Sequence, residues 1–328
     1  MRPFDAQAGS SEWTCFSRLR DFSSPACCST SRKDVLPQAK GLLVAAGTAM
    51  AVVLASACAI VAFHGLPRRF EPQALSFAAA AHDDTSYRRM VTLESLQQGN
   101  LPTFGNADAA VACLVWDDSH AMSLMPGIDA ACKTRGVRGF QVTNHSTAPL
   151  LNFFVQEKLG LNERAPAFNR AVVDHTVAKH VDVVFIVAYW VSYADRPGFE
   201  SALRKTVHEL AEAGVHVVLV RDVARFPYDQ NMKLSMAVRL GRDVAKVGVP
   251  DADYRMINKR WNDLFDQLAG DSVSVLDLSP AFVDETGLWR AEHGGVSTYC
   301  DHDHLTTAGS LRTQPLFQAF FDGLPTRP

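Results

Sequence analysis

Residues 41–63, GLLVAAGTAMAVVLASACAIVAF, contain no charged side chain. A helix rises 1.5 Å per residue, so about 20 apolar residues are enough to cross the hydrocarbon core of a bilayer. The stretch has no polar face, which sets it apart from a buried helix of a soluble core. It is also longer than the apolar part of a secretory signal, and a long polar segment precedes it. The sequence therefore predicts a chain cut into unequal parts: a flexible N-terminal arm (1–40), a transmembrane helix (41–63), a linker (64–108) and one large domain (109–328). Arg32, Lys33 and Lys40 before the helix outnumber Arg68 and Arg69 after it, which puts the N-terminus in the cytoplasm and the large domain outside. A minor alternative is lipoprotein processing at the box Leu54–Cys58, although the apolar run continues beyond that cysteine.

From residue 109 onward, short apolar runs alternate with amphipathic stretches. The runs Ala110–Trp116, Gly139–Thr143, Val181–Trp190, Val215–Val220 and Val273–Leu278 are largely apolar at consecutive positions. That is the pattern of strands buried on both faces of a parallel sheet. Phe199, Leu203, Val207, Leu210 and Ala211 form one helical stripe. Tyr254, Ile257, Trp261, Leu264, Phe265 and Leu268 form another, and Phe317, Phe320 and Phe321 mark a last helix. A further short helix is expected within Tyr87–Gln98. The alternation predicts an α/β fold, a three-layer α/β/α domain with a mostly parallel sheet whose reactive groups lie at the carboxyl ends of strands.

Two polar clusters end predicted elements of that sheet. Asp117-Asp118-Ser119-His120 follows the first strand. Ser119 in that turn would expose its hydroxyl at the sheet edge, with backbone N–H groups of a helix N-terminus nearby to hold an oxyanion. A plain helix cap by Asp118 or Ser119 gives the same letters. The second cluster, Asp301-His302-Asp303-His304, precedes the last helix. An Asp and a His three residues apart in one turn supply a base and its orienting partner, and a serine nucleophile needs both. Metal chelation is the rival reading, with His302 and His304 at H-x-H spacing beside Asp301 and Asp303, completed by Asp117, Asp118 and His120; the acyl-serine reading needs no metal. A net charge of −3 and the lack of a basic run interleaved with aromatics exclude a nucleic-acid partner. The seven cysteines show no zinc spacing, and their pairing is open.

The two clusters also carry a resemblance. DDSHAMSLMPGIDAACKTRG (117–136) and YCDHDHLTTAGS (299–310) resemble the opening and closing blocks of the SGNH hydrolase superfamily, whose domain is flavodoxin-like. They resemble more closely the SGNH domain at the C-terminus of bacterial membrane acyltransferases of the acyltransferase-3 family. STAPLL (146–151), VVFIVAYWVSY (183–193) and GLPRRF (65–70) are similar to further segments of that subgroup. The resemblance implies Ser119 as nucleophile, His304 as base and Asp301 as its partner, with Asp118 and His120 supporting the turn. The backbone of Ser119, Asn144 and Trp190 are candidates for the oxyanion site. It further implies a bacterial inner-membrane protein, single-pass, with its domain on the periplasmic side. Its reaction would be O-acyl transfer, commonly of acetyl, to a cell-envelope polysaccharide such as lipopolysaccharide O-antigen or peptidoglycan. No bound cofactor is implied; the acetyl group would come ultimately from acetyl-CoA through a multi-spanning membrane acyltransferase as partner. Two departures bear on this. Asp117 stands where the family has glycine, and one membrane helix stands where a full acyltransferase has many. A carbohydrate or lipid esterase and a non-catalytic glycan-binding remnant are the alternatives.

Overall fold

The computed structural model describes residues 32–63, 65, 67–83 and 87–324, except for the side chains of 32–39 and Asp117. The chain forms two units, one up to Leu66 and one from Pro67. Among the described residues the first contains helix α1 (Arg32–Ala62). Its segment Lys40–Ala62 has mean hydropathy 2.2 and is apolar and long enough to cross a membrane, about 35 Å of helix at 1.5 Å per residue. Two of its polar side chains turn inward: Thr48 and Ser56 donate to the carbonyls of Val44 and Val52 at 2.9 and 2.8 Å. These bonds leave neither hydroxyl hydrogen needing a solvent partner, as lipid requires. The helix begins at Arg32, inside the stretch 1–40 expected to be a flexible arm; the rest of that arm lies outside the described residues.

The second unit runs α2 (Pro72–Ala79), α3 (Leu93–Gln97), β1 (Thr103–Gly105), β2 (Val111–Asp117), α4 (Ser119–Arg135), β3 (Arg138–Thr143), α5 (Ala165–Ala178), β4 (Val183–Val187), α6 (Trp190–Tyr193) and α7 (Phe199–Glu212). It continues with β5 (His216–Val220), α8 (Gln230–Arg239), β6 (Gly248–Pro250), α9 (Asp251–Leu268), β7 (Val273–Leu276), β8 (Leu288–Arg290), α10 (Thr307–Leu311) and α11 (Gln314–Gly323). The main sheet has the order β1-β3-β2-β4-β5-β7; every pairing is parallel except that of β1 with β3. Alternate strand residues divide between two cores. Cys113, Val115, Val183, Phe185, Val218 and Val220 face one, and Leu114, Trp116, Val184, Ile186, Val217 and Leu219 face the other. Apolar packing on both faces of one sheet is the three-layer α/β/α arrangement, and it explains why these strands read as unbroken apolar runs. β3 and β4 flank β2 on opposite sides, so the chain reverses its direction of winding at β2. In open parallel sheets that reversal opens a crevice at the carboxyl end of the strand, where Ser119 begins α4.

Two expectations need correction. The described residues between 67 and 108 pack as part of the domain and not as a linker. Phe77, Val91 and Leu96 are buried, β1 extends the main sheet, and Ser235 of α8 donates to the Ala74 carbonyl at 2.6 Å. These anchors are isolated in sequence, so no period announces them. The run Val181–Trp190 does not stay extended to its end: β4 stops at Val187 and Trp190 opens α6. Cys58, Cys113, Cys132 and Cys300 are free thiols.

One glycine fixes where the last loop meets α4. Gly127 follows Pro126 inside α4, and its N–H donates to Ser310 Oγ of α10 at 2.9 Å. A Cβ there would stand 2.2 Å from the Ser310 carbonyl oxygen and 2.5 Å from Thr313 Oγ1. Gly127→Ala is therefore expected to cost about 2–3 kcal/mol by overpacking. In a melt of the full chain this should lower Tm by about 5–10 °C; an unchanged Tm would show that the α4–α10 contact can relax.

Candidate active site

Asp118 is the N-cap of α4 and is almost fully buried. One carboxylate oxygen accepts the His120 N–H at 2.8 Å. The other accepts the Tyr193 hydroxyl at 2.7 Å and the Tyr189 N–H at 3.2 Å. Three donors from two elements thus lock the turn that presents Ser119. An N-cap bond alone contributes about 1 kcal/mol to helix stability; here it also aims the first helical residue into the crevice. The side chain of Asp117 lies outside the described residues.

The loop carrying His304 is fixed with similar density. Its ends are tied by Cys300 N–H to the His304 carbonyl at 3.0 Å and by Thr306 N–H to the Thr298 carbonyl at 3.0 Å. The segment after β5 donates into the loop from Phe226 N–H to the His302 carbonyl and from Gln230 N–H to the Asp301 carbonyl, at 2.8 and 3.0 Å. Asp301 Oδ1 accepts the N–H groups of Asp303 and His304 at 2.9 and 2.7 Å, curling the loop around its own carboxylate. The other oxygen, Oδ2, lies 2.8 Å from His304 Nδ1, and His304 Nε2 lies 2.8 Å from Ser119 Oγ. Ser119, His304 and Asp301 thus form one continuous relay across residues 119 to 304.

A second carboxylate reaches the same imidazole. Asp303 Oδ1 is 2.9 Å from His304 Nδ1, and its Oδ2 is 3.1 Å from His302 Nε2. Asp303 is 4% exposed, more deeply buried than Asp301. Burial alone would lower the pKa of His304, but the hydrogen bond that its Nδ1 makes to Asp301 and the close contact with the Asp303 carboxylate outweigh it and push the imidazole up to about 10. Burial acts oppositely on the carboxylates, yet contact with His304 holds both Asp301 and Asp303 below the usual carboxylate range.

Behind the relay lies a further pair. His120 Nδ1 is 2.8 Å from Asp222 Oδ1, and both residues are buried. The His120 ring stacks on Tyr189 at 4.5 Å, and its centroid is 4.9 Å from that of His304. Burial pushes the Asp222 carboxyl up; burial lowers His120, but its Asp222 partner more than restores it and leaves it raised. Asp222 and Tyr189 carry no motif that marks them in the sequence, and Asp303 stands out there only as a member of the polar run 301–304. The roles of all three emerge only through the fold, which brings the loops after β4 and β5 to the same edge.

The oxyanion candidates separate. The Ser119 N–H lies in the first turn of α4, where backbone donors have no partner within the helix. Asn144 follows β3, whose last residue Thr143 pairs with Asp117, so it stands beside the Ser119 turn. One of its two amide hydrogens is donated to the Val91 carbonyl at 3.1 Å. Trp190 does not serve: its single N–H donates to the Val220 carbonyl at 2.9 Å and its ring is fully buried against Phe265. The residue that ends the apolar run is a core side chain.

Donor atoms suited to a metal cluster here too. Those of His120, Asp303 and His304, and those of Asp301, His302 and Asp303, lie within 4.8 Å of one another. An ion in the first group would draw His304 away from Ser119 or Asp301, so the metal and relay readings compete for the same imidazole. A cavity of about 580 Å³ opens beside the relay, bounded by Asp222, Arg225, Tyr228, Asp253, Asn258 and His302 among others.

The family described as the SGNH domain fused to AT3 domains matches residues 80–319. The chain belongs to that SGNH family. Among solved structures, the SGNH domain is similar to the lipopolysaccharide acetyltransferase periplasmic domain of Salmonella ser. Paratyphi A. The two share 15% identity at a TM-score of 0.58, over 75% of this chain and 94% of that one. It is more distantly similar to a GDSL-like lipase from Bacteroides thetaiotaomicron, at 11% identity and a TM-score of 0.38, over 76% and 100% of the respective chains. The comparison with curated proteins gave no match. The family match begins at residue 80, within the stretch that the fold assigns to the domain.

Proposed function

We propose that this SGNH domain transfers an O-acyl group, in the first instance acetyl, to a hydroxyl of a cell-envelope polysaccharide through an acyl-Ser119 intermediate. The observation that carries the proposal is the relay Ser119 Oγ–His304–Asp301 with both contacts at 2.8 Å. His304 Nε2 takes the Ser119 proton as Oγ bonds to the donor's carbonyl carbon. The negative oxygen that forms is held by the Ser119 N–H and the remaining Asn144 amide hydrogen. Collapse expels the donor's leaving group, which takes the proton back from His304. An acceptor hydroxyl then repeats the sequence, yielding its proton to His304, bonding to the acyl carbon and releasing Ser119. Helix α1, long and apolar enough to cross a membrane, and the family's fusion to AT3 domains favour an acceptor in the envelope and a separate multi-spanning partner that delivers acetyl from acetyl-CoA. In this reading the chain is anchored in a bacterial inner membrane with the SGNH domain on the periplasmic side.

An esterase is the second reading, favoured by the partial exposure of Ser119, which admits water as acceptor. The test supplies p-nitrophenyl acetate with and without an O-antigen or peptidoglycan acceptor and follows both p-nitrophenol and acetylated glycan. Transferase action gives slow p-nitrophenol release, accelerated by glycan with acetyl recovered on it. Release that is fast and indifferent to glycan, with all acetyl appearing as acetate, would establish the esterase instead.

A further inference from the structure

Helix α8 buries Leu234, Ala237 and Val238 on one side and packs against α2 through Ser235. Its other side is apolar too. Met232, Met236 and Leu240 follow one another at intervals of four residues, 62%, 44% and 54% exposed, and Tyr228 precedes them by four at 49%. Spacing of four keeps Met232, Met236 and the C-cap Leu240 on one stripe, with Tyr228 in the turn that leads into the helix. Solvated helix faces of soluble domains carry polar residues at such positions, so this stripe calls for a covering surface.

Its flanks indicate what covers it. Lys233, Arg239 and Arg242 are exposed along and just beyond α8, with Lys233 over the Tyr228 ring at 4.4 Å. Phe70 is approached by two guanidiniums, Arg69 at 4.7 Å and Arg239 at 5.6 Å. Arg68 is exposed beside them. Glu71, Asp229 and Asp243 are the nearby acids in sequence; Asp229 faces His302 at 3.6 Å and Asp243 caps the following turn. Five cations against three acids, in a chain of net charge −3, make this edge locally basic. Apolar side chains rimmed by Lys and Arg are the composition of elements that lie in the headgroup region of a membrane. Connectivity brings that membrane within reach: five peptide links separate Ala62, the last residue of the span, from Pro67, at most about 18 Å of extended chain.

We propose that the α8 stripe, with Phe70 and its basic rim, docks on anionic lipid headgroups at the bilayer surface from which α1 emerges. The inference rests on reading Lys40–Ala62 as a membrane span and is independent of the acyl-transfer reading. It has a consequence for the site. Tyr228 both heads the stripe and lines the cavity beside the relay, and the Gln230 N–H at the start of α8 holds the Asp301 carbonyl. Docking would therefore set the mouth of that cavity at headgroup level.

The test is hydrogen exchange on the full chain in nanodiscs of phosphatidylcholine alone, in nanodiscs with phosphatidylglycerol added, and in detergent. Exchange across 232–240 should be roughly tenfold slower in the anionic discs than in the other two, with β4 unchanged. At 1 M salt, where the Debye length falls to about 3 Å, the protection should shrink. Replacing Met232, Met236 and Leu240 together by serine should abolish it; since all three are exposed, ester turnover in detergent is expected to stay at the wild-type level. Equal exchange in all three media would overturn the proposal, as would equal protection in neutral and anionic discs. Protection in detergent that grows with protein concentration would also overturn it, by showing that a second copy covers the stripe.

Discussion

Ser119→Ala is expected to reduce p-nitrophenyl acetate turnover by about 10⁴-fold or more, with no change in Tm beyond about 2 °C. The size follows from what the hydroxyl does. Without Oγ there is no covalent intermediate, and what survives is the contribution of the oxyanion donors and binding, roughly 10³-fold over water in comparable triads. The stability expectation follows from the contacts: Ser119 is only partly buried, its side chain meets His304 alone among the bonds described, and its backbone position in α4 is held by Asp118. His304→Ala should cost about as much as Ser119→Ala, and the double replacement little more than either, because the two act as one unit. Turnover surviving both replacements would remove the acyl-serine reading. If it were then lost to a chelator, the chemistry would pass to the cluster of Asp301, His302 and Asp303, which contains neither replaced residue. If it resisted the chelator as well, the glycan-binding remnant would become the reading to test.

The relay was legible in the sequence because its parts sit where a parallel sheet puts chemistry. Ser119 stands three residues beyond the end of an apolar run, and Asp301 and His304 share one short loop, so local spacing carried the signal. Asp222 is different. It reaches His120 across 102 residues, and nothing near it in the chain distinguishes it from a helix cap or a solvated loop acid. Asp303 was visible only as a member of a polar run, since which of two neighbouring carboxylates faces an imidazole depends on loop curvature. Trp190 misled for a related reason: a tryptophan closing an apolar run gives no hint whether its indole N–H turns to the site or to a neighbouring strand's carbonyl. The segment 67–108 was unreadable as part of the domain because Phe77, Val91 and Leu96 are single anchors pressed into pre-existing cores, and single anchors have no period.

The two carboxylates on His304 lead to the second large effect. Loss of the one orienting aspartate in a serine triad costs about 10⁴-fold, because the imidazole is then held in the wrong tautomer. Here Asp301→Asn should cost only about 10- to 100-fold, since Asp303 Oδ1, buried without a hydrogen bond of its own, stands 2.9 Å from His304 Nδ1 and can take over its N–H. The asparagine also retains an oxygen for the N–H groups of Asp303 and His304. Asp303→Asn should cost a similar or smaller factor, with Asp301 left in place. Replacing both should cost about 10³- to 10⁴-fold, far more than either alone, because no acceptor remains to orient the ring. The pH profile separates this from mere loosening of the loop. His304 must be neutral to accept the Ser119 proton, and its pKa is raised to about 10, so turnover should climb with pH through the alkaline range. At neutral pH the imidazolium is therefore the predominant form and the free base the minor one. Each single asparagine removes one of the interactions that favour the imidazolium, so the rising limb must move to lower pH; with both replaced burial acts unopposed and the limb should move furthest, below the ordinary histidine value near 6.5. Singles that are already as inactive as the double would show that only one carboxylate orients the ring. A limb that stays in place in all three variants would show that its pKa belongs to a group other than His304.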